Sequence, residues 1–494
     1  MKIYLFSFIL IIITIFFACE KPIISNGNTN ATLTFSTDTI NFDTIFTSIG
    51  SITKTLMVYN HNDFNVQTDI KLKGNSTQFY SRINIDGTST NRNSVTNIEI
   101  PAKDSIFIFL EVTINPNSSN TPYILTDSLI FTIGTKKQSV NLVAWGQNAH
   151  FHTANTYADI INGSDTTRFY YHLIDCSTPW TNDKPHVIYG YAIVDPGQTL
   201  TINEGCNIHL HKNSGIIVGN PFSIESGGTI KVNGTLGNEV TFQGDRLDTW
   251  YNEIPGQWDK IWLIPGSFDN EINYAIIKNG NIGIHADTVF NNNPTVEINN
   301  TIIDNMSGIG ILGQGANINV NNTLISRCGQ YTVACNIGGI YNFTHCTFAN
   351  YWDYSNRKTP SILLNNFYEG ANGNIYVRDL QEVNFTNCII QGSLSSEISF
   401  QENELGMFNY KFDHCIIKID PNQNTNNTSY INSIINQKVK FNDPYENDFH
   451  LTQSSPAINT GKPNISTHPA LNNDLEGNIR EISSPDIGVY EYQN

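Results

Sequence analysis

A short segment recurs along the second half of the chain and restricts the fold more than any other feature. Each copy runs from polar residues through one small residue into a pair of mostly apolar residues. The small residues are Ala275, Thr301, Thr323, Cys346, Cys388 and Cys415. They lie 26, 22, 23, 42 and 27 residues apart, and we interpret the 42 as two steps of 21. A period in the low twenties without a helical pattern predicts a β-solenoid, in which each period is one coil of strands.

The residue types within one copy indicate which side chains face the interior. In VNFTNCII, Val383 and Phe385 are expected to point inward from one strand. A polar pair then turns the chain, and Cys388 and Ile390 point inward from the next strand. A residue between two inward-pointing residues, such as Thr347, is expected to face outward, where a polar side chain is tolerated. The small slot is therefore an interior position beside a corner.

The corner before the small slot holds a polar residue in most copies. These corner residues include Asn300, Asn322, His345, Asn387 and His414. Asn side chains stacked at successive corners are expected to hydrogen-bond from coil to coil.

A His beside a Cys also suggests a metal site. An inward thiol and a corner imidazole do not converge on one ion, however. Cys346 and Cys388, taken as two coils apart, would lie about 10 Å apart, too far for one tetrahedral site. We expect a ladder of buried thiols, and a disulfide between Cys388 and Cys415 remains an alternative.

Charge and cysteine content exclude several classes of protein. The chain of 494 residues has 27 Lys and Arg against 44 Asp and Glu, a net charge of −17. Such a chain is not expected to bind nucleic acid or an anionic membrane through its surface field. Of the eight cysteines, seven scattered ones remain when Cys19 is set aside. An odd, scattered set does not form a disulfide framework, so most are expected to be buried thiols.

The N-terminus has the layout of an export signal. Lys2 precedes an apolar run that ends at Phe17, and small Ala18 stands before Cys19. The run is shorter than the roughly 20 residues that cross a bilayer as a helix. The sequence FFAC resembles a bacterial lipobox. The resemblance implies a signal peptide over 1–18, cleavage before Cys19 and a diacylglyceryl group on its sulfur. An uncleaved anchor is the alternative.

The segment after the signal leads into a first folded unit. Residues 19–29 are polar and rich in Asn, which predicts a flexible tether. Residues 30–148 contain short apolar-polar alternations separated by Gly, Pro, Asn and Asp, which predicts an antiparallel β-sandwich. The segments KTLMVYN, IFLEVTINP and VNLVAWG resemble Ig-like domains of the abnormal-spindle/hydin type. The resemblance implies a spacer or a module for protein contact.

Residues 149–186 lack a clear period and are expected to be a linker. His150 and His152 would share one face of a strand. A metal ion would need further ligands, and none is spaced nearby.

Two further resemblances extend the β-solenoid prediction. Residues 187–440, beginning HVIYGYAIV, resemble right-handed parallel β-helices of Bacteroidota in the pectin-lyase-like superfamily. Residues 441–494, ending in DIGVYEY, resemble the C-terminal segment of exported bacterial β-helix proteins, which implies a cap that closes the last coil. The low Lys and Arg content also resembles surface lipoproteins of Bacteroidota. The expected fold class is all-β, a right-handed parallel β-helix preceded by a small Ig-like β-sandwich.

The β-helix resemblance also indicates where an enzyme would carry its site. β-Helix lyases place a base and charge-neutralising residues on one outward sheet, and β-helix hydrolases cluster Asp residues there. Predicted outward charges between 270 and 420 are few and form no pair that recurs at coil spacing: Lys278, Asp304, Arg327, Arg378, Asp413 and Lys418. We assign no catalytic residue, no metal and no cofactor. His209 and His211 would share an outward strand face, as a solvent-facing pair or a metal pair.

The stretch GDRLDTWYNEIPGQWDKIW interrupts the coils and is rich in aromatic and charged residues. Sugar rings stack their C–H faces on aromatic rings, and their hydroxyl groups bond to carboxylates and guanidinium groups. The candidate glycan contacts are Arg246, Asp248, Trp250, Tyr251, Trp258 and Trp262. A structural loop whose rings pack on the β-helix flank and a catalytic loop are the alternatives.

These features predict a lipid-anchored protein of the cell envelope, on the outer membrane and exposed at the cell surface. Its expected function is non-enzymatic binding of a polysaccharide or cell-surface glycan, or adhesion. Its contact with the membrane would run through the lipid on Cys19, and no nucleic acid is expected as a partner. One alternative is a polysaccharide lyase or glycoside hydrolase of the pectin-lyase-like superfamily. Another is a scaffold that pairs with other envelope proteins through the sandwich.

Overall fold

A computed structural model describes residues 31–493 with the exception of 75–78, 86, 91–93, 119–121, 163–164, 223–226, 289–292 and 466–467. The chain divides into two compact units between Asn148 and Ala149. Apart from two 3₁₀ turns, every regular element of the described chain is a β-strand, and the all-β prediction is confirmed. The search of these residues finds no helix with the length and apolarity needed to cross a membrane. The predicted signal peptide, the tether and Cys19 lie outside the described residues.

The first unit is a β-sandwich of two five-stranded sheets, ordered β1-β3-β8-β5-β6 and β2-β10-β9-β4-β7. Its strands are β1 (Thr34–Phe35), β2 (Thr39–Phe46), β3 (Lys54–Tyr59), β4 (Val66–Leu72), β5 (Phe79–Ile85), β6 (Thr88–Thr90), β7 (Ser94–Ile100), β8 (Ser105–Ile114), β9 (Tyr123–Ile133) and β10 (Lys136–Gln147). β2 and β10 pair in parallel, whereas β8 pairs antiparallel with both β3 and β5. Alternate residues of β8, including Ile106, Ile108 and Leu110, are buried between the sheets, as a period of two requires.

The second unit is a parallel β-helix, and its described residues also form three antiparallel hairpins. Its strands are β11 (His150–Thr153), β12 (Thr156–Asn162), β13 (Asp165–Leu173), β14 (His186–Tyr189), β15 (Tyr191–Val194), β16 (Thr199–Asn203), β17 (Asn207–Leu210), β18 (Gly215–Val218), β19 (Thr229–Asn233), β20 (Val240–Gly244), β21 (Ile261–Leu263), β22 (Asn270–Asn273), β23 (Ala275–Lys278), β24 (Ile282–Asp287), β25 (Val296–Asn299), β26 (Ile302–Met306), β27 (Ile309–Gln314), β28 (Asn317–Asn321), β29 (Leu324–Cys328), β30 (Val333–Asn336), β31 (Gly339–Thr344), β32 (Thr347–Asn350), β33 (Ile362–Asn365), β34 (Phe367–Glu369), β35 (Ile375–Val377), β36 (Leu380–Thr386), β37 (Ile389–Gly392), β38 (Ile398–Gln401), β39 (Lys411–Asp413), β40 (Ile416–Ile417), β41 (Tyr430–Ile431), β42 (Ile434–Ile435), β43 (Phe441–Asp443) and β44 (Asp448–Leu451). The 3₁₀ turns are Thr249–Glu253 and Pro469–Leu471.

Three long sheets surround the β-helix interior. The 11-stranded sheet is β11-β14-β17-β20-β23-β26-β29-β32-β37-β40-β42. The ten-stranded sheet is β12-β13-β15-β18-β21-β24-β27-β30-β33-β38, and the nine-stranded sheet is β16-β19-β22-β25-β28-β31-β36-β39-β41. Equivalent residues of successive coils pair directly, as Val320, Phe343, Phe385 and Phe412 do in the nine-stranded sheet. One continuous core runs through the interior from Ile174 to Ile419. The predicted β-helix and the preceding sandwich are both confirmed.

Residues 149–186, predicted as a linker, instead belong to the β-helix. β11 pairs in parallel with β14, and β13 pairs in parallel with β15. Trp180 is buried in the core and forms a parallel bridge to Ile202. The sequence hides this coil because β12 and β13 form an antiparallel hairpin that interrupts the period.

The corner between the nine-stranded and 11-stranded sheets repeats one backbone conformation. The residues there have φ between 47° and 53°, namely Tyr274, Asn300, Asn322, His345, Asn387, His414 and Asn432. Asn tolerates this left-handed region because its short polar side chain bonds locally. The Asn322 amide donates to the Asn300 side-chain oxygen at 2.7 Å, and Asn387 Nδ2 lies 3.1 Å from His345 Nε2. The predicted coil-to-coil bonding of Asn side chains is confirmed.

The cysteines beside this corner form a stack of free thiols. Cys346, Cys388 and Cys415 are buried and unpaired, so the buried ladder is confirmed and the disulfide alternative is not realised. β32 pairs directly with β37, which places Cys346 and Cys388 on adjacent coils. The interpretation of the 42-residue interval as two steps was therefore wrong. This single coil is enlarged by residues 351–361 and by the β34–β35 hairpin.

The described C-terminal residues, 441–465 and 468–493, pack along the outward face of the 11-stranded sheet, a contact that the predicted cap on the last coil did not include. Their apolar side chains contact a stripe of outward residues that includes Leu324, Ile389 and Ile416. The Val489 N–H donates to Thr347 Oγ1 at 3.0 Å. The stripe exists because each repeated segment ends in two mostly apolar residues, and the first of the two points outward. An outward slot such as Thr347 is therefore buried under the C-terminal segment.

Candidate functional site

The aromatic excursion leaves the β-helix after β20 and returns at β21. Its backbone is bonded to the next coil, since the N–H of Gln257 donates to the Asn279 carbonyl at 2.8 Å. The Gln257 side-chain amide donates to the carbonyls of Tyr251 and Ile254 at 2.6 and 2.7 Å. Glu253 forms an ion pair of 2.8 Å with Arg327. The excursion is therefore a packed loop with fixed ends.

Trp250 is the most exposed aromatic residue of the excursion, with 77% of its surface accessible. It lies in the 3₁₀ turn that follows Asp248. The neighbouring Tyr251 ring is covered by the Arg246 guanidinium, whose carbon lies 4.0 Å from the ring centroid. The Asp248 carbonyl accepts the Tyr251 N–H at 2.8 Å and closes the turn. The structure thus brings four of the predicted contacts together in one short segment.

Trp258 is fully buried in the β-helix core, which corrects its assignment as a glycan contact. Its indole N–H donates to the Lys278 carbonyl at 2.8 Å, and its backbone bridges to Gly280. The pattern QWDKIW places Trp258 and Trp262 four residues apart, but Trp258 lies at the end of the excursion, where the chain re-enters the coil. A buried indole with its N–H satisfied is a core residue.

Trp262 lies apart from the excursion, half-buried on the outward face of the ten-stranded sheet. Its ring stacks on His285 with centroids 5.5 Å apart, and its N–H donates to Asp287 Oδ2 at 2.7 Å. The Lys260 ammonium lies 4.9 Å from the ring centroid. His285 Nε2 in turn lies 3.2 Å from Asp287 Oδ1. These four side chains form a compact aromatic and charged cluster that the sequence did not group.

Several charged residues that the sequence placed on the outer face of the coils form ion pairs with neighbouring parts of the protein. Arg327 bonds to Asp304 on the preceding coil as well as to Glu253. Asp413 accepts from Lys462 of the C-terminal segment at 2.7 Å and lies 2.7 Å from His414. Within the part of the chain that the structure describes, no group of three or more His, Cys, Asp or Glu could hold a metal ion.

His209 and His211 differ in environment, although both lie on β17 or at its end. His209 is buried, and its Nδ1 lies 3.0 Å from the Gly244 carbonyl oxygen, so it is not the solvent-facing residue expected. His211 is partly exposed and bonds through Nδ1 to Asp245 Oδ2 at 2.7 Å. This bond raises the pKa of His211 above its ordinary value. Asp245 also accepts the Tyr189 hydroxyl at 3.1 Å.

His152, which the sequence grouped only with His150, belongs to a cluster of histidines at the first coil that also includes His172 and His186. His152 Nε2 lies 3.0 Å from His186 Nδ1, and His152 Nδ1 lies 3.5 Å from His172 Nε2. The Trp180 ring stacks on both His152 and His186 with centroids 4.4 Å apart. Burial, together with the neighbouring imidazoles, lowers the pKa of His152 to about 3. Burial likewise lowers the pKa of His186 to about 4, so the cluster is neutral in the folded protein at pH 7.

A cleft of about 580 Å³ lies at another corner, between the ten-stranded and nine-stranded sheets. Its lining includes Thr288, Asn317, Arg378, Asp379 and Gln381. The sequence analysis noted Arg378 only as an isolated outward charge. The long interval between Cys346 and Cys388 was the signal that could have revealed an enlarged coil beside this cleft.

Fold and sites together define an all-β protein in which a parallel β-helix carries surface aromatic groups and a polar cleft, preceded by a small β-sandwich. No protein-family model and no curated protein sequence matches the chain.

Solved structures give distant likenesses. The catalytic domain of a GH87 alpha-1,3-glucanase in complex with nigerose is 10% identical, with a TM-score of 0.22 over 79% of this chain and 87% of that chain. The catalytic unit of a GH87 alpha-1,3-glucanase from Streptomyces thermodiastaticus is 10% identical, with a TM-score of 0.20 over 73% and 79%. A family 123 glycoside hydrolase from Clostridium perfringens is 10% identical, with a TM-score of 0.18 over 25% of this chain and only 30% of that chain. Scores this low carry no argument about activity.

Proposed function

We propose that this protein is a lipid-anchored cell-surface protein whose β-helix binds a polysaccharide or a cell-surface glycan without processing it. The observation that carries the proposal is the exposure of Trp250, at 77%, on a loop that is otherwise packed and bonded. The exposed indole offers an apolar face that a ligand can cover, on a loop whose position is already fixed.

The surroundings of Trp250 supply what a sugar needs. An exposed indole offers a flat apolar face for the C–H face of a pyranose ring. Arg246, held over Tyr251, and the carboxylate of Asp248 lie in the same short segment and suit the hydroxyl groups of the ring. Because Glu253 ties the loop to Arg327, the binding groups need little further ordering on contact.

The anchor and the domain order complete the proposal. A signal peptide over 1–18 directs export, and lipid on Cys19 holds the chain at the outer membrane through the tether of 19–29. The sandwich, as an Ig-like spacer, carries a right-handed β-helix of the pectin-lyase-like type found in Bacteroidota. Intact mass measurement of the protein from membranes, beside a Cys19→Ala variant, tests the anchor. Loss of the lipid mass and of membrane attachment in the variant is the expected result.

Glycan binding is tested by applying the full-length protein and a Trp250→Ala variant to arrays of neutral and acidic polysaccharides. We expect the variant to lose about tenfold or more in affinity, because one stacked aromatic ring supplies much of the contact with a sugar. Tyr354→Ala is a matched control, since Tyr354 is 59% exposed elsewhere on the β-helix. Equal binding by the wild-type protein and the Trp250→Ala variant would show that Trp250 is not a glycan contact, and binding of no glycan by the wild-type protein would refute the proposed function.

A scaffold function is a second candidate, favoured by one feature of the sandwich. Phe107 and Phe109 are 44% and 40% exposed on β8, the central strand of its sheet, and their rings stack 6.3 Å apart. Met57 of β3 pairs with Phe107 and extends this apolar face. Co-purification of envelope proteins that is lost in a Phe107→Ser/Phe109→Ser variant, and kept in Ile124→Ser, is the expected result for a scaffold. Ile124 is 61% exposed on the other sheet.

The enzyme alternative calls for a separate assay. A polysaccharide lyase would generate unsaturated ends, and a glycoside hydrolase would generate reducing ends. Incubating the full-length protein with the polysaccharides that it binds, and assaying both kinds of ends, distinguishes binding from turnover. We expect neither product.

A further inference from the structure

The cleft between the ten-stranded and nine-stranded sheets has a floor and two walls. Two short corners form the floor, residues 315–316 between β27 and β28 and residues 337–338 between β30 and β31. Thr288, directly after β24, lies on one side, and residues 377–379 lie on the other side. The short corners between these two sides leave a trough on the flank of the stacked coils. Its volume of about 580 Å³ is that of a small-molecule site.

Glycines occupy the two short corners at the bottom of this cleft. Gly315 and Gly338 have φ of 65° and 76°, where other residues are strained. A Cβ at Gly315 would lie 2.7 Å from Arg378 Nη1 and 2.8 Å from Thr288 Oγ1. A Cβ at Gly338 would lie 2.5 Å from the Asp379 carbonyl oxygen. Glycine at these two positions therefore leaves the room that Arg378, Thr288 and the Asp379 backbone occupy.

The guanidinium of Arg378 is held across the cleft. Its Nη1 donates to Thr288 Oγ1 at 2.7 Å, and that hydroxyl donates onward to the Gln314 carbonyl at 2.9 Å. These two hydrogen bonds link one side of the cleft to the other and hold the Arg378 guanidinium in place before a ligand binds. Less conformational entropy is therefore lost when the ligand binds. Arg378 nevertheless remains exposed, so its other donors are accessible from the cleft.

The remaining lining mixes acceptors, donors and apolar surface. Asp379 is exposed beside Arg378 and accepts the Met407 N–H at 2.8 Å. Asn317 and Gln381 add two side-chain amides, and Ile340 adds apolar surface. A sugar ring has hydroxyl groups that both donate and accept, and it has apolar C–H faces, so this lining matches its chemistry.

Charge selects among glycans. Arg378 and Asp379 carry opposite charges side by side, so this part of the cleft has no net charge. The whole chain has a net charge of −17, which repels a polyanionic glycan. A neutral sugar avoids that repulsion and still uses the charged donor and acceptor for its hydroxyl groups.

We propose that this cleft binds a segment of a neutral oligosaccharide, with Arg378 and Asp379 bonded to its hydroxyl groups. The inference rests on the proposed glycan-binding function. It adds a ligand class and a second contact place, distinct from Trp250.

The test uses the full-length protein on an array of neutral gluco-, manno- and xylo-oligosaccharides beside oligogalacturonides, with affinities of any hits measured by calorimetry. We expect binding to at least one neutral series and none to the oligogalacturonides. Arg378→Ala should weaken that binding roughly tenfold or more, because it removes a charged hydrogen-bond donor. Asn317→Trp should abolish it by filling the cleft. Arg168→Ala is the matched control, since Arg168 is an exposed arginine on another part of the unit.

The outcomes separate this inference from the proposed function. Binding that is lost in Trp250→Ala but unchanged in Arg378→Ala and Asn317→Trp overturns the cleft and leaves the proposed function standing. Binding lost in both cleft variants but not in Trp250→Ala supports the cleft alone. Binding confined to oligogalacturonides overturns the neutral class, and binding to no glycan overturns both proposals. Circular dichroism of each variant verifies that the loss is not due to unfolding.

Discussion

At the scale of single residues, the left-handed corner explains the repeated pairs of polar and small residues. Asn300, Asn322 and Asn387 adopt a positive φ, and their amides bond to neighbouring corners. The small residue that follows must fit the interior, which is why Thr, Ala and Cys alternate there. His345 and His414 occupy the same corner as Asn, with the same positive φ. The sequence predicted these roles because backbone conformation and side-chain volume leave a local pattern.

Residues that meet only through the coil stacking could not be predicted in this way. His152, His172 and His186 are separated in the sequence, and their contact depends on how the β12–β13 hairpin joins the first coil. Trp258 was predicted to lie with the exposed aromatic residues of the excursion. It is buried instead, because the chain re-enters the coil at this residue. Such positions depend on long-range geometry, which carries no local signal.

The histidine cluster predicts a loss of stability in acid. The pKa values of His152 and His186 are about 3 and about 4 in the folded protein, below the ordinary value of 6.5. Between pH 6.5 and pH 4 the unfolded chain binds more protons than the folded one. The stability that is present above pH 6.5 is therefore lost as the pH falls toward 4. We expect each of the two histidines to contribute a loss of about 2–3 kcal/mol between pH 7 and pH 4.5, measured by guanidinium unfolding of the second unit. His150, His172 and Asp183 face the same cluster.

A His152→Gln variant should reduce this pH dependence, because one of the titrating groups is removed while a hydrogen-bonding side chain is kept. His61→Gln is the control, since His61 is exposed in the first unit. A wild-type protein whose unfolding free energy is the same at pH 7 and pH 4.5 would contradict the prediction.

At the scale of elements, each coil keeps its strand register while the connections vary in length. β32 pairs with β37 despite the 351–361 segment and the β34–β35 hairpin between them. The interval of 42 residues is therefore one coil, although its length alone suggested two coils. The outward stripe leaves a signal in the sequence. Apolar residues in the outward slot of several coils, such as Ile389 and Ile416, indicate that another segment covers them.

The C-terminal segment is predicted to stabilise the β-helix through this stripe. Val489 is fully buried there, and a Val489→Asp substitution would place a carboxylate against apolar side chains. We expect it to cost about 3 kcal/mol or more, measured by guanidinium unfolding at pH 7. Ile479→Asp is the matched control, because Ile479 is 84% exposed in the same segment and should change stability little. Equal stability of the two variants would argue against the packing of this segment on the sheet.

At the scale of the whole molecule, the chain is two units with separate cores. Apolar-polar alternation predicted the β-sandwich correctly, because each sheet needs one apolar face. The recurring short segment predicted the β-helix correctly, because each coil repeats the same strands and corners. The start of the β-helix was set too late, at 187, because the first coil contains a hairpin and histidines in place of the repeated pattern. The function was less predictable, since the cleft at Arg378 and the cluster at Trp262 draw residues from several coils.

Truncations test where the β-helix begins. A chain from residue 149 retains β11–β13 and Trp180, whereas a chain from residue 187 removes them and leaves β14 and β15 with open edges. We expect the longer chain to be monomeric and folded, and the shorter one to melt at least about 5 °C lower or to aggregate. Thermal denaturation and gel filtration make the comparison. Equal melting temperatures would support the linker interpretation instead.

The stack of Cys346, Cys388 and Cys415 links oxidation to the speed of folding. Once the coils have closed, burial raises the pKa of Cys388 well above that of an ordinary thiol and shields the sulfur from reagents. Before closure the same sulfur is reactive, and a glutathione adduct would need room that the close-packed interior lacks. We therefore expect the coils to have to close before an oxidant captures these thiols, and we expect a reductant to raise the recovery of native protein from denaturant.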